Sequence, residues 1–314
     1  MAVLKKNKIV VVGAGNVGES VVFSLMLKRV TNEVVMIDLN EDRAEGSAYD
    51  LADATAFYHH TTIRKGGYEE CADAEIIIIT AGIARKPGQT RLDLAKTNVS
   101  IVEGITKNIM QHADDPIIIV VSNPVDVLTY IVQKNSGLPA NRVIGSGTTL
   151  DTARLRRLLS EKCDVSITDV NAYILGEHGD TQVPIWSRAT IGEEDLVTYM
   201  KKLDANVNLD EIAETAKKGG ATIIAKKGAT FLGIAMCTAR IAEAILKDEN
   251  AVLPVAHVLG EEYGEWSDVA ISLPTVVNKS GIVRTIDIPL SDAEKEAMNV
   301  SAKTLRDFTN DVMN

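Results

Sequence analysis

Short apolar runs alternate with helical segments through the first half of the chain. Five such runs, each bounded by turn-forming residues, cover residues 8–12, 33–37, 75–80, 117–122 and 142–145. Their apolar positions are nearly continuous rather than alternating, which predicts strands buried on both faces, as in a parallel sheet. Segments with helical spacing, such as 17–29 and 94–112, lie between them. This alternation predicts an α/β fold built on a doubly wound parallel sheet.

The second half of the chain has less of this strand–helix rhythm. The predicted elements are helices over 152–162, 208–244 (more than one helix) and 291–313, and strands over 266–273 and 282–288. Together they predict an α+β domain that would carry the substrate site. The boundary is placed after residue 147, which gives domains 1–147 and 148–314.

The composition narrows the class of protein. The 314 residues are enough for two domains, and 46% of them are hydrophobic and 24% charged, as in ordinary globular proteins. The formal net charge of −10 argues against nucleic acid as a partner, because like charges repel. An anionic substrate would therefore be bound by a few local cations. No apolar run approaches the roughly 20 residues of a transmembrane helix, so no membrane partner is expected.

The cysteines and the N-terminus predict a cytoplasmic protein. Cys71, Cys163 and Cys237 lie far apart and share no metal-ligand spacing, so they are expected to be reduced thiols. The adjacent His59 and His60 also fit no ligand set, and no metal site is predicted. The lysines near the N-terminus precede only four apolar residues and a glycine turn, which favours a buried strand over a signal peptide.

A glycine-rich loop, Gly-Ala-Gly-Asn-Val-Gly at 13–18, joins the first predicted strand to the first helix. Gly13 permits the tight turn, Gly15 lets the backbone approach a pyrophosphate, and Gly18 allows close packing of helix on strand. The helix N-terminus offers unpaired N–H groups to the phosphates. Asp38 ends the next strand and would accept hydrogen bonds from the adenosine ribose, which favours NAD over NADP. The first half is thus predicted to be an NAD-binding Rossmann domain; the alternative is a purely structural turn.

A candidate acid/base pair lies further along the chain. His178 occurs in Gly-Glu-His-Gly-Asp at 176–180, directly after an apolar run, where the glycines leave it open to a ligand. Asp151, in Leu-Asp-Thr-Ala-Arg at 150–154, can hold an imidazole in one tautomer and stabilise its cation. A lone histidine would more often be structural, but the two residues together predict acid/base chemistry.

The order of the motifs resembles that of the L-lactate/L-malate dehydrogenase family. Besides the two just given, they include Pro-Gly-Gln-Thr-Arg at 87–91 and Ser-Asn-Pro-Val-Asp at 122–126. Lys-Gly-Ala-Thr at 227–230 and Ala-Ile-Ser-Leu-Pro at 270–274 extend the resemblance into the C-terminal half. It implies NAD-dependent oxidation of a 2-hydroxy acid, in which a hydroxyl proton is removed while a hydride leaves the carbon.

The resemblance implies a role for each matched residue. His178 would be the acid/base, and Asp151 would orient it. Arg154 would bind the substrate C1 carboxylate, and Arg91 would polarise the carbonyl on which negative charge develops. Asn123 would contact the same oxygen; ordinary salt bridges and a turn-capping Asn123 are the structural alternatives. The cofactor site would comprise Gly13, Gly15, Asn16, Val17, Gly18, Asp38, Thr80, Ala81, Gly82, Asn98, Val121 and Asn123.

The prediction of the substrate depends on Arg85, six residues before Arg91. Family members that resemble malate dehydrogenases have an arginine there, and those that resemble lactate dehydrogenases usually a glutamine. Arg85 would pair with the second carboxylate of malate, which would be costly to bury alone. Thr230, at the substrate site, and the segments 125–129 and 184–187 instead resemble the lactate branch. The charge argument makes malate dehydrogenase the main prediction, and lactate or another 2-hydroxy acid dehydrogenase the alternative.

Two further expectations concern activity and assembly. A silent NAD-binding regulatory protein would be expected to lack His178, Asp151 or Arg91, and all three are present. The resemblance implies a homodimer or homotetramer with a small dicarboxylate as substrate.

Some lactate dehydrogenases of this family are activated by a sugar bisphosphate through an arginine and a histidine. Arg156 matches the arginine, but Asn171 replaces the histidine, which argues against such activation.

Overall fold

The main feature of the fold is a nine-stranded sheet. The computed structural model describes residues 7–58, 61–83, 90–203 and 208–313, and only the backbone of residue 91. The strands are β1 Lys8–Val12, β2 Glu33–Ile37, β3 Thr62–Lys65, β4 Ile76–Ile79, β5 Ile117–Val120, β6 Val143–Gly145, β7 Val170–Asn171, β8 Ile174–Leu175, β9 Val183–Pro184, β10 Thr190–Ile191, β11 Glu194–Asp195, β12 Ala251–Val258, β13 Ala270–Asn278 and β14 Gly281–Thr285. The helices are α1 Asn16–Lys28, α2 Glu41–Thr55, α3 Arg91–Met110, α4 Val125–Ser136, α5 Thr149–Cys163, α6 Leu196–Lys202, α7 Leu209–Lys227, α8 Leu232–Leu246 and α9 Asp292–Met313.

The parallel part of the sheet has the order β6-β5-β4-β1-β2-β3. β4 reads Ile-Ile-Ile-Ile and β5 Ile-Ile-Ile-Val, and every one of these side chains is buried. Helices cover both faces of such a sheet, so strands without polar alternation are what burial on two sides requires. This confirms the predicted Rossmann-type doubly wound fold.

The strand order places a crevice beside the glycine-rich loop. β1 pairs with β4 on one side and with β2 on the other, so the chain's connections reverse direction at β1. The loops that follow β1 and β4 therefore diverge at the carboxyl edge of the sheet and leave a cleft between them. This cleft is where ligands bind in doubly wound sheets.

The C-terminal half extends the same sheet with antiparallel strands. β12 pairs with β6 only through Ala256 opposite Gly145, and β13 and β14 continue outward from β12. Two smaller sheets, β11-β10-β7 and β8-β9, complete this half. The predicted C-terminal α+β domain is confirmed as a unit of mixed helices and strands, while the boundary after residue 147 stays a prediction.

Several elements differ from the sequence prediction. β3, β12 and α4 were not predicted, and residues Glu261–Trp266 form a 3₁₀ helix, so the strand predicted from 266 begins at Ala270. β12 contains Pro254, which breaks the usual pattern of a sheet interior. The neighbouring strand β6 pairs with β12 at Ala256 and not at Pro254, so on that side the missing N–H of Pro254 removes no hydrogen bond between strands. In the part of the chain that the structure describes, no helix is long and apolar enough to cross a membrane.

Candidate active site

A cleft of about 700 Å³ lies where the two halves of the chain meet. The predicted site residues that line it are Val17, Val121, Asn123, Asp151, Arg154, His178 and Thr230. They come from α1, the loop after β5, α5, the loop after β8 and the α7–α8 connection. Residues far apart in the sequence are therefore brought to one cavity, as the predicted site requires.

His178 and Asp151 form a close pair at the centre of this cleft. Nδ1 of His178 lies 2.5 Å from Oδ2 of Asp151. Asp151 occupies the first turn of α5 and its side chain is only 2% exposed, whereas the His178 side chain is 27% exposed toward the cleft. The contact fixes the tautomer of the neutral ring and leaves Nε2 as the nitrogen available to a substrate.

The pair is poised to carry opposite charges. Burial alone would lower the pKa of His178, but the Asp151 carboxylate outweighs burial and raises that pKa to about 9. Burial would raise the pKa of Asp151, but the attraction of His178 and then Arg154 holds it below its usual value. His178 is thus an imidazolium at neutral pH, ready to give a proton.

Arg154 lies one helical turn from Asp151 on α5. Its Nη1 donates to Oδ1 of Asp151 at 3.0 Å, and its side chain is 12% exposed in the cleft. The Arg154 side chain packs against Gly219 on α7. A Cβ atom added at Gly219 would lie 3.0 Å from Cδ and 3.2 Å from Nε of the arginine. A buried cation beside an acid/base residue can bind a substrate carboxylate through two hydrogen bonds.

The glycine-rich loop has the shape that a dinucleotide requires. A Cβ on Gly18 would lie 1.8 Å from the carbonyl oxygen of Gly13, so helix and turn are in contact there. Among the residues that the structure describes, a Cβ at Gly15 would meet nothing within 4 Å, and no side chain caps the N-terminus of α1. Open space above uncapped N–H groups fits a pyrophosphate. Gly13 has φ +113°, a conformation that favours glycine.

Asp38 is fixed at the end of β2 by two main-chain contacts. Its Oδ2 accepts from the N–H of Ala14 at 2.7 Å, and its Oδ1 accepts from that of Asn40 at 2.9 Å. The carboxylate therefore lies against the glycine-rich loop, where a ribose would bind. A 2′-phosphate at this position would meet a like charge, so the arrangement favours NAD.

The remaining predicted cofactor residues surround the loops after β4 and β5. Thr80 donates through its hydroxyl to the carbonyl oxygen of Gly13 at 3.0 Å. Asn98 is 2% exposed and its amide joins two loops: it accepts from the N–H of Ile83 at 2.9 Å and donates to the carbonyl oxygen of Asn123 at 2.7 Å. These contacts make Asn98 a residue that positions the loops, and its contact with the cofactor stays a prediction.

Two predicted arginines lie wholly or partly outside the described residues. Arg85 lies within 84–89, outside the described residues, and for Arg91 only the backbone is described, at the first position of α3. Thr90 caps this helix in a capping box with Asp93. Within the described ranges, no group of three or more His, Cys, Asp or Glu residues could hold a metal ion.

Sequence reasoning missed three residues around the catalytic loop. Asp126 is 3% exposed, and its Oδ2 accepts from the main-chain N–H of His178 at 2.7 Å. Ser301 on α9 accepts through Oγ from the N–H of Glu177 at 2.8 Å. Ser146 lines the cleft and is 3% exposed. Asp126 could have been found as a lone charge in the apolar start of α4; nothing in the sequence marks Ser301.

Comparisons with known proteins show the family of the chain. The family models of the lactate/malate dehydrogenase NAD binding domain and alpha/beta C-terminal domain match residues 7–145 and 148–314. The chain belongs to the lactate/malate dehydrogenase family. The L-lactate dehydrogenase of Bacillus pumilus is 47% identical over 307 residues, 97% of each chain. L-lactate dehydrogenase 1 of Clostridium acetobutylicum is 43% identical and covers 97% of this chain and 98% of its own.

Solved structures of the family have the same fold. A minor L-lactate dehydrogenase from Enterococcus mundtii, in its ligand-bound form, superimposes with a TM-score of 0.94 at 43% identity and covers 98% of both chains. A lactate dehydrogenase from a deep-sea metagenome library of the Medee basin gives a TM-score of 0.94 at 38% identity, over 99% of this chain. Membership of the family makes the chain an NAD-dependent 2-hydroxy acid dehydrogenase.

The predicted preference for malate is wrong. Relatives that are 43–47% identical over nearly the whole chain are named L-lactate dehydrogenase, and so are the structural neighbours. The prediction rested on the charge of Arg85, and a residue type does not fix where its side chain points. Without the malate preference, the predicted dicarboxylate substrate loses its support.

Proposed function

We propose that this chain is an L-lactate dehydrogenase, which interconverts lactate and pyruvate with NAD. The observation that carries the proposal is the His178–Asp151 pair with Arg154 beside it in one cleft. The relatives named L-lactate dehydrogenase supply the choice of substrate. Thr230, which lines the same cleft and resembles the lactate branch, supports that choice.

The cleft residues divide the work between binding and proton transfer. The glycine-rich loop and Asp38 would hold NADH, which would supply a hydride for the carbonyl carbon of pyruvate. The carbonyl oxygen then takes a proton from Nε2 of His178, while Asp151 holds Nδ1 and stabilises the ring's charge. In lactate oxidation the neutral Nε2 accepts the hydroxyl proton. Arg154 binds the substrate carboxylate and so orients the reacting carbon next to His178, while it also pairs with Asp151.

The proposed activity is tested by following NADH oxidation with pyruvate and with oxaloacetate. We expect kcat/KM for pyruvate to exceed that for oxaloacetate by about tenfold or more, which corresponds to about 1.4 kcal/mol in the transition state. Equal values or a lead for oxaloacetate would contradict the proposal. NADPH in place of NADH serves as a control for the cofactor, because Asp38 should disfavour it.

The prediction for Gly219 tests whether Arg154 binds the substrate. Gly219→Ala places a methyl group 3.0 Å from Cδ of Arg154, so the arginine side chain must shift. We expect KM for pyruvate to rise several-fold, which corresponds to a loss of about 1 kcal/mol of binding free energy. Gly220→Ala is the matched control, because its Cβ would lie 3.6 Å from the nearest arginine atom. Both changes favour the helix similarly. Steady-state kinetics that give the two variants the same KM would count against Arg154 as the carboxylate ligand.

We also propose a homodimer or homotetramer. Large apolar side chains are exposed on and near α2: Tyr49 is 65% exposed and Phe57 is 92% exposed. Such a surface is typical of an interface between subunits. The molar mass in solution, measured by light scattering after gel filtration, tests this assignment. The cytoplasmic location stays a prediction.

A further inference from the structure

The catalytic loop is held through two of its main-chain N–H groups, which donate to side chains of two different helices. After β8, the N–H of Glu177 donates to Ser301 on α9, and the next N–H, that of His178, donates to Asp126 on α4. Gly176 precedes this pair with φ +85°, and Gly179 follows it. A loop flanked by glycines has little stiffness of its own. Gly176 itself is paired with Ser272 through the main chain, and beyond it these two acceptors help to fix the main chain of the loop.

The two acceptors differ in charge. Ser301 offers a neutral hydroxyl, and the same Oγ also accepts from Thr181 at 3.2 Å. Asp126 offers a carboxylate that is 3% exposed. Its Oδ1 is buried without a hydrogen-bond partner among the described residues. Burying a carboxylate with one oxygen unpaired destabilises the folded state. A neutral asparagine or serine could accept the same N–H with a smaller loss of free energy.

We propose that Asp126 is a second carboxylate that acts on His178, positioning it through the main-chain N–H and holding its ring proton by negative charge. The inference deepens the proposed dehydrogenase function and rests on His178 being its acid/base. Asp126 is a positioning residue, since it acts through His178. Asp151 holds the ring directly, and Asp126 adds its charge at the main-chain N–H.

The electrostatics of the described residues around His178 agree with this role. The charged residues that line the cleft together with His178 are Asp151 and Arg154 on α5, Asp126 on α4, Glu177 and Asp180 on its own loop and Lys217 on α7. Among the described residues, α9 contributes only uncharged groups to this cleft. Burial raises the pKa of Asp126 to about 7, although His178 and its N–H pull it down. Above pH 7 Asp126 is therefore charged and adds to the attraction that keeps His178 protonated.

Exchanging Asp126 for asparagine separates charge from hydrogen bonding. Asp126→Asn keeps an acceptor for the His178 N–H and removes the charge. We expect the pKa of His178 to fall by about one unit, as when a close opposite charge is lost. NMR titration of the histidine rings in the NAD-free protein measures this shift directly, and His178→Gln identifies the resonance. The alkaline limb of kcat/KM for pyruvate reduction should move down equally, while rates below pH 7 change little.

Ser301→Ala is the matched control, since it removes the neighbouring hydrogen bond but no charge. It should leave the His178 titration at the wild-type pH. Asp126→Ala removes acceptor and charge together and should lower kcat below that of Asp126→Asn. NADH fluorescence and thermal melting check that each variant folds.

Three results would overturn the proposal. They are an Asp126→Asn titration that coincides with the wild type, an equal shift in Ser301→Ala, and an Asp126→Asn protein that no longer binds NADH. Profiles are taken on whichever 2-oxo acid the wild type reduces. Failure of the wild type on pyruvate would then count against the proposed function alone.

Discussion

Replacing His178 by glutamine is expected to lower kcat/KM for pyruvate reduction by about 10²–10⁴-fold, the usual contribution of a general acid. Glutamine can still accept or donate a hydrogen bond but gives up no proton. The Nδ1 contact with Asp151 at 2.5 Å shows that the ring is held for this task. Stopped-flow measurement of the first turnover separates the chemical step from product release.

Two observations complete the His178 test. NADH binding, measured by fluorescence, should stay near the wild-type value, because the glycine-rich loop is untouched. Asp151→Asn should also lose activity, since the amide cannot stabilise the imidazolium. A His178→Gln enzyme within tenfold of the wild type would show that another group supplies the proton.

Replacing Arg154 by lysine is expected to raise KM for pyruvate by about 10²-fold or more, because lysine keeps the charge but cannot form the paired hydrogen bonds. The guanidinium also contacts Asp151 at 3.0 Å, so its loss leaves a buried carboxylate with one partner fewer. kcat at saturating pyruvate should fall less than kcat/KM. Steady-state kinetics over a wide range of pyruvate concentrations distinguish the two effects.

Arg157→Lys is the control for Arg154. It lies one turn further along α5, is about half exposed and pairs with Glu161 at 2.5 Å. Exposed pairs of this kind contribute little, roughly 0–1 kcal/mol. A similar rise of KM in both variants would mean that the effect comes from helix stability rather than from binding the carboxylate.

The parallel sheet could be predicted from the sequence almost residue by residue. β1 and β2 have the predicted bounds, because after the charged first residue of each, Lys8 or Glu33, every position is apolar and buried. β3 was missed since its exposed edge admits Arg64 and Lys65. β12 was missed because Pro254 and His257 interrupt its run, and only the tertiary pairing makes room for them.

The candidate site was predictable where motifs carried it. His178, Asp151 and Arg154 were named from short patterns, and the fold brings them into contact. Asp126 was not, because its role depends on a main-chain N–H that is 52 residues away. The malate prediction from Arg85 is contradicted by the relatives, which are named L-lactate dehydrogenase, and Arg85 itself lies outside the described residues.

The final helix also sets when activity can first arise during synthesis. Phe308 and Val312 of α9 pack on the core of the nucleotide-binding half, while Ser301 holds the catalytic loop. Synthesis runs from the N-terminus, so the ribosome adds α9 long after His178 and Asp151 have emerged. A nascent chain can thus form its Rossmann sheet early, yet it has no complete catalytic loop until α9 docks. Turnover therefore requires α9 to be in place against the catalytic loop.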